Sequence, residues 1–209
     1  MNTLTSAEAQ RAIYIDFEGL GGRTDIVCGD PKLQGMKESH NKGPIPNSYW
    51  LVEGQLLAGG YPGSSYPATA RTKLEAILDA GVRSFIDLTE PHELMPYDEL
   101  LAETATEMKV DVSYQRLSIR DMDIPTREAM NTILAAIRSE LASGRAVYVH
   151  CWGGIGRTGT VIGCWLVEQG HACDDALERI RTLRAYTPEG WKRSPETADQ
   201  QSFVRTWRA

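Results

Sequence analysis

The stretch from Ala146 to Gly170 constrains the fold more than any other part of the chain. Ala146-Val147-Tyr148-Val149 is apolar but for one tyrosine hydroxyl, and its length suits a strand of the buried type. It runs straight into His150-Cys151-Trp152-Gly153-Gly154-Ile155-Gly156-Arg157, and Thr158 to Glu168 then continues as an apolar helix ending at Gly170. A strand that passes through a glycine-rich turn directly into a helix is half of a β-α-β unit. The rest of the chain must therefore supply parallel neighbours for the strand and helices to cover them.

The pattern upstream does so. Tyr49–Val52 and Gln55–Ala58, joined by Glu53-Gly54, read as a hairpin. Ala68–Ala80 carries Leu74, Ile77 and Leu78 at helical spacing and is closed by Gly81. Val82–Leu88 is a buried-type strand, Tyr97–Met108 a helix and Val110–Ile119 another strand. Pro125–Ser143 is the longest helix, with Glu128 in its first turn and Gly144 just past its end. Two more helices are expected at Asp174–Arg184 and Glu196–Trp207. The fold class is α/β, with a central, mostly parallel sheet flanked by helices. Residues 1–46 are an extension in which only Ala12–Phe17 suggests a strand; residues 47–209 form the domain.

Composition narrows the function. The 209 residues fit one domain, and a net charge of -6 argues against a nucleic-acid binder or an anionic-membrane binder. No stretch approaches the roughly 18–20 apolar residues of a membrane span. The polar start lacks the order of a signal peptide. Cys28, Cys151, Cys164 and Cys173 form no C-x-x-C pair and no zinc-spaced cluster, so no metal or other cofactor is expected. A reduced, cytoplasmic protein is the simplest reading.

The glycine loop carries the chemistry. It ends at a helix N-terminus, where unpaired N–H groups and the helix dipole favour an anion. The backbone of Trp152, Gly153, Gly154, Ile155 and Gly156 can turn its N–H groups inward as a nest, and Arg157 adds a bidentate fork suited to two phosphate oxygens. The same field favours the thiolate of Cys151, a nucleophile placed beneath a bound phosphoryl group. Phosphate ester cleavage also needs a proton for the leaving oxygen, from an acid on a loop able to close over the pocket. Ile119-Arg120-Asp121-Met122-Asp123-Ile124-Pro125, between a strand and the long helix, is the candidate.

The segment His150–Thr158 resembles the signature H-C-x2-G-x-G-R-[ST] of the protein tyrosine phosphatase superfamily, in its dual-specificity branch. Its aromatic-Gly-Gly-apolar-Gly-Arg filling is most similar to the kinase-associated phosphatase and related bacterial phosphatases. The resemblance spans Asn47 to the C-terminus. It implies Asp121 as general acid, with Asp123 as competitor and a turn or cap residue by its position. It implies that Thr158 eases departure of the thiolate in the second step and that His150 helps set the ionisation of Cys151. Glu196-Thr197-Ala198-Asp199-Gln200 is similar to the glutamine-bearing loop of tyrosine phosphatases, but Glu196 stands where that loop begins with glutamine. A plain amphipathic helix containing Phe203 and Trp207 is the favoured reading there, with Gln200 held as a secondary site residue.

Trp152 and Ile155 leave the variable positions uncharged, which favours a phosphoprotein substrate over a polyphosphorylated headgroup. Two readings stay open beside it: the same chemistry on an inositol phosphate, nucleotide or RNA end, and a phosphoprotein-binding pseudophosphatase.

Overall fold

The computed structural model describes residues 41–208, so Ala12–Phe17 and Cys28 lie outside the described residues. Five strands, β1 (Ser48–Val52), β2 (Leu56–Gly59), β3 (Val82–Asp87), β4 (Ser113–Arg116) and β5 (Ala146–His150), form one sheet in the order β1-β2-β5-β3-β4. The β1–β2 hairpin is antiparallel, and every other pairing is parallel. Six helices accompany them among the described residues: α1 (Pro67–Asp79), α2 (Asp98–Met108), α3 (Arg127–Ala142), α4 (Gly156–Glu168), α5 (Cys173–Arg184) and α6 (Ala198–Arg205). The α/β class expected from the sequence is the one observed.

β5 occupies the middle of the sheet, and all five of its residues are buried. Successive side chains of a strand point to opposite faces. Val147 and Val149 accordingly join a core with Ile133, Leu134 and Ile137 of α3, Val161 and Trp165 of α4, and Ile180 of α5. Tyr148 faces the other layer, with Leu74 and Ile77 of α1 and Leu101 of α2. α4 is buried at every residue from Gly156 to Leu166, which explains why its sequence from Val161 to Val167 is apolar on all sides. Because the parallel strands share a direction, the loops that leave β5, β3 and β4 gather at one edge of the sheet, where α/β proteins bind ligands.

Helix ends follow local signals. Gly81, Gly144 and Gly170 come just after α1, α3 and α4, each with positive φ. Lys109 does the same after α2 without being glycine (φ 58). Two elements are shorter, by four residues or more, than the periodicity suggested. β4 keeps only four of the ten residues expected, although Leu117 and Ile119 still donate to the carbonyls of Asp87 and Leu88. α6 starts at Ala198, not Glu196, because the Thr197 hydroxyl and the Gln200 side chain close a capping box there. Residues just ahead of Asn47 pack on the first strand: Trp50 N–H donates to Asn41 O at 2.8 Å, Lys42 bridges Tyr49, and Ile45 is buried. No helix among the described residues is long and apolar enough to cross a membrane.

Past α6, Trp207 closes the layer. It is 2% exposed, stacks on Phe203 and lies under the Arg127 guanidinium at the start of α3. Trp207→Ala is expected to lower stability by roughly 3–5 kcal/mol, read from urea denaturation with circular dichroism.

Candidate active site

β5 ends at His150 and α4 begins at Gly156, so residues 151–155 turn the chain in front of the first N–H groups of α4. Gly154 is required at the tightest point. Its φ is +70°, and a Cβ would strike the backbone of Gly59 and Gly60 at the end of β2. The same strand end supports the loop from behind, since Tyr61 N–H donates to Trp152 O at 2.8 Å and the Thr158 hydroxyl lies 3.4 Å from Gly59 O. Ser194 Oγ donates to Ile155 O at 2.7 Å. Cys151, a buried free thiol, lines a cavity of about 330 Å3 together with Trp152, Gly153, Ile155, Gly156 and Arg157.

Arg157 is a buried charge, and its partners explain why it stays there. Both terminal nitrogens donate to Glu93 at 2.7 Å in a fork-to-fork pair. The same group donates to Ile119 O at 3.1 Å and lies 2.9 Å from Asp121 Oδ1. Hydrogen bonds from Arg157 hold the Glu93 carboxyl below the usual glutamate range, against the opposing effect of partial burial. Glu93 was not among the residues singled out from the sequence. It sits between β3 and α2 in a segment with a second glutamate, Glu90, and no spacing rule links either to Arg157.

The acid loop separates its two aspartates. Asp121 lines the cavity and is half-exposed. Asp123 does not line it; its Oδ1 accepts from Ile124 N–H, the turn role expected for it. Met122 between them adopts a left-handed conformation (φ 61). Gln200 reaches this loop from α6. Its side chain is buried, Nε2 donates to Asp123 O at 3.1 Å, and Oε1 accepts from the N–H groups of Glu196 and Thr197. Glu196 and Gln200 both line the cavity, so this segment is more than the plain amphipathic helix expected of it.

His150 lies under the loop and does not line the cavity. Nε2 meets the Tyr97 hydroxyl at 2.6 Å, and Nδ1 is 3.9 Å from Asp87 Oδ1. Asp87 is itself held by Thr89, Tyr114 and Arg116. Burial pushes the His150 pKa down to about 4, against the pull of Asp87 in the other direction. The ring is therefore neutral at neutral pH. Among the described residues no group of three or more His, Cys, Asp or Glu is placed to hold a metal ion.

Known proteins are similar to this chain in sequence and in fold. Residues 59–171 match the family described as "Polymorphic toxin system, DSP-PTPase phosphatase". The chain therefore belongs to that family, within the protein tyrosine phosphatase superfamily and dual-specificity-like. The phosphatidylglycerophosphatase and protein-tyrosine phosphatase 1 of Rattus norvegicus is 30% identical over 141 residues, which cover 66% of this chain and 68% of the rat protein. The chain spans 36% to 59% of the length of three other curated relatives that it matches. Among solved structures, Tk-PTP in its active form is similar with a TM-score of 0.60 at 23% identity, covering 77% of this chain and 95% of that one. TpbA of P. aeruginosa, solved with pTyr, has a TM-score of 0.58 at 16% identity, covering 79% and 86%.

Two outcomes follow from this geometry. Asp121 competes with any oxyanion for one nitrogen of Arg157 and repels it, so Asp121→Asn should bind inorganic phosphate roughly three- to tenfold more tightly by calorimetry. Between His150 pKa values of 6.5 unfolded and about 4 folded, the unfolded chain takes up the extra proton. Stability present above pH 6.5 should thus fall as pH drops toward 4, by on the order of 3 kcal/mol. His150→Asn should flatten that slope in urea melts taken across the window.

Proposed function

We propose that the protein is a phosphoprotein phosphatase, acting on phosphotyrosine and/or phosphoserine and phosphothreonine through a phosphocysteine intermediate on Cys151. The observation that carries the reading is the convergence of Cys151, Arg157 and Asp121 on one cavity at the N-terminus of α4. In the first step the Cys151 sulfur attacks phosphorus as the bond to the leaving oxygen breaks, and Asp121 gives that oxygen its proton. Arg157 and the loop N–H groups hold the phosphoryl oxygens, with Glu93 positioning the guanidinium. In the second step water attacks phosphorus, Asp121 accepts its proton, and the thiolate leaves. The family resemblance assigns Thr158 to assist that departure, although its hydroxyl points to Gly59 O and the residue does not line the cavity, and His150 supports the loop from beneath.

A protein substrate is favoured by what surrounds the cradle. Trp152 and Ile155 carry no charge, and Lys192, the lysine that lines the cavity, is paired with Glu189. The rat relative's name joins lipid and protein phosphatase activities. That makes a non-protein monoester the reading to test against. A cytoplasmic setting belongs to the same proposal, because a free thiol nucleophile keeps its reactivity under reducing conditions.

Turnover of a small aryl phosphate in excess chelator tests the chemistry. The wild type should be active and inhibited by vanadate, Cys151→Ser inactive, and Asp121→Asn slowed roughly 100-fold or more. Full activity in Cys151→Ser would end the mechanism. A crippled Asp123→Asn beside an active Asp121→Asn would move the acid by two residues. Phosphopeptides, inositol phosphates and phosphatidylglycerophosphate, compared by kcat/KM, test the substrate class, and peptides should be the best of the three.

A further inference from the structure

Beyond the phosphate cradle, one wall of the cavity is built by residues 187–196, which join α5 to α6. This wall is preorganised. Buried Arg184 donates to Lys192 O at 2.9 Å and Glu189 O at 3.2 Å, and the Thr187 hydroxyl and N–H return to Arg184 O. Asn47, 142 positions away in sequence, clamps Glu189 twice. Its Nδ2 donates to Glu189 Oε2 at 3.2 Å, and its Oδ1 accepts from Glu189 N–H at 3.3 Å. Asn47 holds a left-handed φ of 59°, and its own carbonyl accepts from Gly60 N–H. Glu189, fixed in this way, holds the Lys192 ammonium. Lys192, the cation of this wall that lines the cavity, is thereby neutralised where it stands, while its neighbour Arg193 is exposed and does not line the cavity.

Glu196 is in the opposite situation. Its N–H is held by Gln200 Oε1 at 3.1 Å, and its Cβ lies beside Gly156 at the start of α4. The residue is exposed, and its carboxylate makes no ion pair among the described residues. Arg184 is the cation that acts on it through space, but that guanidinium spends its hydrogen bonds on the carbonyls behind the wall. An unpaired carboxylate on the rim of an anion site repels a substrate that brings further negative charge, and rewards one that brings a cation. A second phosphate group would face both Glu196 and Asp121.

We propose that Glu196 is a specificity-determining residue that selects phosphoprotein segments carrying lysine or arginine next to the phosphorylated residue. The Asn47–Glu189 clamp keeps Lys192 from offering the opposite charge. This rests on the phosphoprotein reading above and deepens it.

Two phosphopeptides, identical but for lysine or glutamate on both sides of the phosphorylated residue, test it through the ratio of their kcat/KM values. The wild type should favour the lysine peptide about three- to tenfold at low salt, with the ratio shrinking as salt rises. Glu196→Gln should bring the ratio close to one, and Glu196→Lys should invert it. Because each ratio is internal to one variant, a general loss of activity does not mimic the effect. A wild-type ratio of one or below, or a preference that survives in Glu196→Gln, overturns the inference and leaves the phosphoprotein reading standing. Hydrolysis of aryl phosphate with neither peptide cleaved overturns both.

Discussion

The site is organised around the burial of one positive charge. Arg157 leaves α4 with its side chain 1% exposed, and a guanidinium in that position is tolerated only when its donors are met. Glu93 comes from the segment between β3 and α2, Ile119 and Asp121 from the segment after β4. One charge therefore draws together the ends of two strands and the start of the central helix. Arg157 presents a fixed fork because Glu93 leaves it little freedom to turn, and Asp121 is brought to the cavity by the same group that would hold the phosphate. Geometry and electrostatics are here one requirement.

A second set of contacts decides the shape of the mouth. Gln200 closes the capping box of α6 and, with the other end of its amide, holds the acid loop at Asp123 O. Asn47 does the comparable work on the opposite side, tying the entry to β1 to the wall at Glu189. Both are amides, able to donate and accept at once, so each can bridge two backbone segments that would otherwise present unpaired groups. The neutral His150 beneath the loop continues the pattern in a drier setting, with Tyr97 on one nitrogen and Asp87 near the other.

How much of this was legible in the chain depended on the range of the interaction. The strand at β5, the glycine turn and the apolar helix α4 are consecutive, and their periodicity and residue types follow from local backbone rules. Gly154 could be named as a loop glycine for the same reason, though the close approach of Gly59 that demands it could not. Asp121 was reachable through the family resemblance, which sets the acid a few residues before a proline, here Pro125. The ends of β4 and α6 were misjudged. Edge-strand pairing and a capping box two residues inside the expected helix override the apolar pattern there.

The residues that escaped notice, or were placed second, act across the fold. Glu93 is 64 positions from Arg157, Gln200 is 77 from Asp123, and Asn47 is 142 from Glu189. By itself the sequence determined the α/β class and the strand–loop–helix that holds Cys151 over a helix N-terminus, because those depend on spacing along one segment. Only the tertiary structure decided which carboxylates share Arg157, which aspartate faces the cavity and which rim charge is left unpaired. A charge pair or an amide clamp between distant segments leaves no period in the chain. It exists only once packing has brought its two halves within hydrogen-bond reach.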